Sequence, residues 1–389
     1  MKFKTARNWA VFLYLYFSNF SRLKFSLMKN YIFLIFSMIS MSTIAQQNLT
    51  PETLWQLGRV TPLGISKDGT LLIYKVGTPS VEENKINSKY YTIPVRGGNA
   101  TLVEDYKSLI ADKNISPDGI LLLSSKEVKI EKLLGKDLYP ELSKTTAQVY
   151  NGLDYRHWDT WNDGTHNHVF YASTKKDGEE IDIMPNEPYD APQKPFGGDE
   201  DFIWSPDGTK IIYVCKKKVG TACATSTNTD LYEYDLKTKT TKNLTENNLG
   251  YDTNPAYSPA GDLSWLQMKR DGFEADKNDI IVRHKGQDLN ITSNWNSTVE
   301  SFSWRTDGKK VYFIAPVKGT KQLFYIEFKG NKKISFEVNQ LTDGDFDVNA
   351  IVGFTNNSVL VTRNDMNHAP EVYSYNLANK TWKQITSVN

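Results

Sequence analysis

From about residue 60 onward the chain repeats one order of positions: an apolar residue, a Ser-Pro-Asp-Gly turn or a variant of it, then a run of β-forming residues. It reads Ile65-Ser66-Lys67-Asp68-Gly69 before Leu71 to Tyr74, Ile115-Ser116-Pro117-Asp118-Gly119 before Leu121 to Leu123, and Trp204-Ser205-Pro206-Asp207-Gly208 before Ile211 to Val214. Further copies are Tyr257-Ser258-Pro259-Ala260-Gly261 before Leu263, Trp304-Arg305-Thr306-Asp307-Gly308 before Val311 to Ile314, and a worn Phe354-Thr355-Asn356-Asn357 before Val359 to Val361. Pro presets φ for the second turn position, Asp bonds back to the local backbone, and Gly accepts positive φ, so each copy predicts a tight hairpin turn. Alternating runs follow, such as Leu231 to Leu236, Leu323 to Phe328 and Val372 to Leu377, and then polar exits such as Asn243-Leu244-Thr245, Gln340-Leu341-Thr342 and Gln384-Ile385-Thr386. Period-2 alternation predicts strands.

The turn glycines at 69, 119, 208, 261 and 308 are 50, 89, 53 and 47 residues apart. A period of 40 to 50 residues with several strands per unit predicts an all-β propeller of six recognisable four-stranded blades, with a seventh possible. The separation of 89 requires an insertion of about 40 residues in the second module. Within it Val128 to Leu134 reads as helix-like, and Tyr155 to Gly164 carries two Trp, an Arg, a His and two Asp.

Charge and composition sharpen this picture. The 389 residues hold 46 basic and 45 acidic side chains, but residues 1–45 contain six basic and no acidic ones, leaving 40 against 45. No basic run suits a nucleic acid. Met28-Lys29-Asn30, an apolar stretch from Tyr31 and the small residues ending at Ala45 have the layout of a secretory signal. We therefore expect a targeting segment at 1–45, with Met28 as an alternative true start, a propeller domain at 46–389, a periplasmic or secreted location, and no membrane association after signal cleavage. In such a compartment Cys215 and Cys223 could form a disulfide; alternatively Cys215 is buried in a strand and Cys223 lies in a loop.

Three blocks are more distinctive than the turns: Tyr155 to Gly164 with His168-Val169-Phe170, Asp252 to Pro259, and Met268 to Asp276. In these the chain resembles the dipeptidyl-peptidase 5-like members of the prolyl oligopeptidase family of serine peptidases, over roughly residues 46 to 389. The resemblance implies a propeller that sits over an α/β-hydrolase domain, which normally follows it in sequence, and an activity on peptides through an acyl-serine. No Gly-x-Ser-x-Gly nucleophile elbow occurs in the 389 residues. The hydrolase domain is expected to be absent from this chain, which should be inactive alone, with no catalytic residue carried over. The alternative is a free-standing TolB-like periplasmic propeller that binds a protein partner.

In related exopeptidases, acidic side chains from the propeller hold the free amine of the substrate. That resemblance makes Arg156, His157, Trp158, Asp159, Trp161 and Asp163 candidate substrate-binding residues, with Asp159 or Asp163 as the carboxylate. A charge-assisted bond to an ammonium would be strong there. The same residues can be read as blade packing and turn formers, as Asp163-Gly164 suggests. Glu179-Glu180 is a second candidate pair, or a solvated cluster. Arg270, Asp271, Glu274 and Asp276 could pair with a hydrolase portion, with one another, or face solvent. His166 and His168 would share one side of a strand, but no metal and no cofactor is expected. Peptide substrates are the expected partners.

Overall fold

In the computed structural model, residues 49–175, 178–329 and 336–389 are described; the expected signal segment lies outside them. Residues 49–56 stand apart from the rest as a separate unit, in which Pro51–Gln56 is a short helix. No described helix is long and apolar enough to cross a membrane. From Leu57 on, each repeat forms one antiparallel sheet.

Five sheets have four strands in sequence order. Blade 1 runs from Arg59–Ile65 to Thr101–Val103, blade 3 from Phe202–Trp204 to Thr240–Asn243, and blade 4 from Asp252–Tyr257 to Gln287–Asn290. Blade 5 runs from Ser301–Trp304 to Asn339–Gln340 and blade 6 from Asp347–Phe354 to Trp382–Gln384. Blade 2 departs from expectation with three strands, Leu121–Lys129, Thr165–Ser173 and Ile181–Asp182. Residues 114 to 116 occupy the place of its first strand but are too short to form a ladder: Ile115 bridges Leu122, and the Leu123 amide donates to Asn114 O at 2.8 Å.

The turn motif acts as its chemistry requires. Gly69, Gly119, Gly208, Gly261 and Gly308 all have φ between 67° and 89°, a region closed to most side chains. In three copies Ser66, Ser116 and Ser205 donate to the turn Asp at 2.5 to 2.6 Å, and each accepts the amide that opens the next strand.

Alternation then buries both faces of each sheet. Along Lys210–Cys215, Ile211, Tyr213 and Cys215 pack into a cluster shared with blade 2, whereas Ile212 and Val214 pack into one shared with blade 4. Val311, Phe313 and Ala315 likewise face blade 4, and Tyr312 and Ile314 face blade 6. Blade 6 meets blade 1 directly, through Leu360, Val372 and Ile385 against Leu72, Tyr74 and Ile93. Asn389 completes the junction: its side chain accepts from Gly58 N at 2.8 Å and donates to Gly58 O at 3.1 Å. The six-bladed ring is thus closed, leaving no slot for the seventh blade that the repeat allowed.

Five apolar clusters fill five of the six seams, and among the described residues the seam between blades 1 and 2 has none. Its wedge is the connecting segment 104–114. Tyr106 stacks on Tyr90 at 4.2 Å, the Lys67 amide donates to Leu109 O at 3.0 Å, and Ile110 lies where any Cβ on Gly64 would meet it at 2.6 Å.

A polar latch recurs in blades 3 to 6, built from the polar exits. Thr245, Thr292, Thr342 and Thr386, all buried, each accept an amide of the neighbouring third strand at 2.8 to 3.0 Å. Their hydroxyls donate to Asp230, Asp279, Gln322 and Glu371 respectively, at 2.5 to 3.3 Å. Each latch fixes the register of an otherwise short fourth strand. The expected helix over Val128 to Leu134 is not formed: Val128 and Lys129 continue a strand paired with His166 and Thr165, and one helical turn follows at Gly135–Leu138. Tertiary pairing overrides local propensity there.

Removing one latch hydroxyl in the near-isosteric Thr292→Val leaves a buried amide without its acceptor, and should cost about 2 kcal/mol. Chemical denaturation measures it; a loss under about 0.5 kcal/mol would mean that the latch contributes little.

Candidate functional site

In a four-stranded up-and-down blade, the first-to-second and third-to-fourth connections leave from one face of the ring. The second-to-third and blade-to-blade connections leave from the other. The Ser-Pro-Asp-Gly turns therefore mark one face. Opposite it lie the long connections 130–164, 216–229 and 268–278 of blades 2, 3 and 4, where blades 5 and 6 have only two residues. The chain enters blade 1 and leaves blade 6 on this same loop-bearing face.

The three loops touch in succession. Asp154, in the insertion, accepts a hydrogen bond from the Cys223 thiol, and burial pushes its carboxyl pKa upward. Ser226 Oγ donates to Asp271 Oδ1 at 2.6 Å, and the Thr227 amide to the same oxygen at 2.8 Å. Arg270 pairs with Asp276 at 3.0 Å and lies 4.2 Å from the Phe273 ring centroid, so this charged loop is knitted to itself and to blade 3. Cys215 and Cys223 are free thiols: Cys215 points into the core between blades 2 and 3, and Cys223 sits in the short helix Thr221–Thr225.

Above these loops stands a two-stranded hairpin, Arg156–His157 paired with Thr160–Trp161. Tyr150, Tyr155 and Trp161 pack at its base with centroids 5.5 to 6.3 Å apart, Arg156 lies 5.1 Å from the Trp161 ring, and Tyr150 Oη donates to Asn162 O at 2.7 Å. The turn residues are Trp158 and Asp159. Trp158 adopts φ of +50°, which disfavours a bulky residue, yet its side chain is 66% exposed. Its contacts are His157 at 4.7 Å and the ring of Phe196, itself 79% exposed, at 5.4 Å. A strained, outward aromatic suits a binding surface better than packing. Asp159 is exposed beside it with no hydrogen bond or ion pair among the described residues, whereas Asp163 is a turn former, accepting the Thr165 amide at 2.9 Å and its hydroxyl at 2.7 Å.

Glu179 and Glu180 do not join this group. They lie in the connection after Ser173, on the order of 20 Å along the strand from Thr165, and Glu180 is paired with Lys126. His166 and His168 do share one side of their strand, but each is bonded to carboxylates: His166 to Glu131 and Asp190, His168 to Asp182. No cluster able to hold a metal is present among the described residues.

First strands of neighbouring blades approach one another, which places them innermost. Between those of blades 3 to 5 and the 113–117 segment lies a cavity of about 520 Å³, walled by Ile115, Ile203, Tyr257 and Phe302. Its polar groups include Lys113, Glu200, Asn254 and Ser301. Asn254 sits at a register shift with φ of +54°, and its amide has no side-chain hydrogen bond among the described residues. Sequence reasoning missed this set and Phe196; the Asn254-Pro255 dipeptide, a turn signal inside a strand, was the available hint. Directly behind Glu200, Asp201 is buried, accepting the Gln193 amide at 2.9 Å; burial, with the Glu200 charge, raises its pKa to about 7.

No family model matches the chain. It is 32% identical to dipeptidyl-peptidase 5 of Porphyromonas gingivalis, over 90% of this chain and 57% of that protein. It is 30% identical to dipeptidyl-peptidase 5 of Porphyromonas endodontalis, over 88% of this chain and 55% of that one. The chain thus spans a little over half the length of these relatives. Among solved structures, the acylaminoacyl peptidase of Pyrococcus horikoshii matches 87% of the chain with a TM-score of 0.61 at 14% identity, covering 54% of its own chain; this likeness concerns the fold.

Because Asp201 ionises near pH 4 when unfolded but near 7 when folded, the folded state binds the extra proton between these values, and stability falls as pH rises through that window. Asp201→Asn keeps an acceptor for Gln193 and removes the charge. Its stabilising effect should be larger at pH 8 than at pH 5 by on the order of 2 kcal/mol. Equal effects at both pH values, by denaturant titration, would contradict this.

Proposed function

We propose, from the chain's membership of the dipeptidyl-peptidase 5-like group of the prolyl oligopeptidase family, that this ring is the substrate-admitting propeller portion of an exported serine exopeptidase. The cutting of the peptide bond belongs to an α/β-hydrolase portion, and the ring decides what reaches it. One observation carries this reading: the three long loops, the exposed Trp158-Asp159 turn and both ends of the chain path lie on a single face. A hydrolase portion joined after Asn389 would be delivered to that face. Peptides held there would meet Asp159 as a carboxylate for the free amine and Trp158 with Phe196 as an apolar shelf.

Two features suit a size filter. The central cavity, about 520 Å³, has the volume of a small-ligand or short-peptide site, far below that of a folded domain. The seam between blades 1 and 2, wedged by a loop instead of an apolar cluster, is the natural side opening. Export is part of the same proposal and rests on the basic and apolar pattern from Met28 to Ala45.

Grafting residues 57–389 in place of the propeller of the Porphyromonas gingivalis relative tests the assignment. The chimera should release dipeptides from short chromogenic substrates and leave folded proteins intact. Trp158→Gly, which also relieves the positive φ, should keep the fold and lower kcat/KM about tenfold, a change of about 1.4 kcal/mol. The isolated chain should show no turnover. A chimera that degrades folded proteins, or turnover by the isolated chain that a serine-directed reagent blocks, would overturn the proposal.

A further inference from the structure

His166 sits on the Thr165–Ser173 strand of blade 2, 9% exposed, with both ring nitrogens facing carboxylates. Nδ1 lies 3.2 Å from Asp190 Oδ2 and Nε2 lies 3.3 Å from Glu131 Oε2. A neutral imidazole has one N–H and can donate to one of them only, leaving a bare nitrogen turned toward an anion; the imidazolium donates to both. Water has little access to substitute for a missing bond. The geometry is therefore that of a charged ring between two anions.

The two carboxylates belong to different elements. Glu131 is at the root of the insertion, where the amides of Ile130 and Glu131 donate to Gly164 O and close its neck. Asp190 belongs to the segment that returns along the blade and leads to Phe196, the partner of Trp158; its other oxygen accepts the Asn167 amide at 2.8 Å. The remaining charged groups around the pair are Lys194, 3.4 Å from both Asp190 and Glu127, and Lys129, bonded to Asp137 and to Asp163 O. Lys194 partly offsets Asp190, whereas among the described residues Glu131 forms an ion pair with His166 alone.

We propose that protonated His166 is a pH-released clasp, which holds the root of the 131–163 insertion to the Asp190 segment and lets it loosen when the ring loses its proton. Burial alone would lower the His166 pKa, but the bonds and charges of Asp190 and Glu131 outweigh it and the net direction is upward. A histidine whose folded-state pKa is raised contributes fully below the unfolded value of about 6.5, and that contribution disappears as pH rises through the folded value. The clasp is thus closed in mildly acidic surroundings and opens on the alkaline side. This inference goes beyond the peptidase reading and does not depend on it.

Hydrogen exchange of the whole chain, corrected for intrinsic rates and followed from about pH 6 to about pH 9, tests it. Protection of peptides within 131–163 should fall about tenfold across that range, while blade 5 stays constant. In His166→Gln, whose two N–H donors share one nitrogen and cannot span both carboxylates, the insertion should be weakly protected at every pH. Should that variant fail to fold, Glu131→Gln decides: it keeps the Asp190 pair and should move the His166 ring-proton titration midpoint downward in NMR. A pH-independent insertion, a wild-type midpoint at or below about 6.5, or an unchanged pH response in the variants would overturn the clasp.

Discussion

Everything in this molecule depends on sheets that are apolar on both faces. A strand such as Lys210–Cys215, with Ile211, Tyr213 and Cys215 on one side and Ile212 and Val214 on the other, cannot leave either side in water. With no helical layer among the described residues to cover them, successive sheets bury one another, and a ring is the arrangement in which the last sheet also finds a partner. The contact of Leu360, Val372 and Ile385 with Leu72, Tyr74 and Ile93 is that last partnership, and it is why six blades suffice.

Polar groups then decide how regular each blade can be. The buried Thr latches hold the outer strands of blades 3 to 6, although some of those strands are only two or three residues long. Blades 1 and 2 have no equivalent latch among the described residues, and they also flank the seam that lacks an apolar cluster. The ring is consequently least uniform on the side that carries the insertion.

The candidate site has the same origin. Loops on one face are free of the ladder and of the interblade cores, so blades 2, 3 and 4 extend them until they touch, through Asp154 and Cys223 and through Ser226 and Asp271. The hairpin above them can hold Trp158 outward at positive φ because its base is packed by Tyr150, Tyr155 and Trp161. Two carboxylates on one histidine join this structure to the blade beneath, which couples a surface feature to a protonation equilibrium.

The turn motif, the alternation and the spacing of glycines by themselves determined the sheets, their order and the place of the insertion, because tight turns and period-2 burial are local physics. They could not determine closure, since whether blade 6 meets blade 1 depends on cumulative twist and on contacts between residues 331 positions apart, such as the Asn389 side chain and the Gly58 backbone. Nor could they separate Asp159 from Asp163 or from the Glu179-Glu180 pair: all are acids near turns, and only the fold places one at an exposed hairpin tip, binds one to Thr165 and sends the pair toward the far end of a strand. Val128 and Lys129 read as helix and became strand because their partners, His166 and Thr165, lie beyond the insertion, where no local pattern reaches.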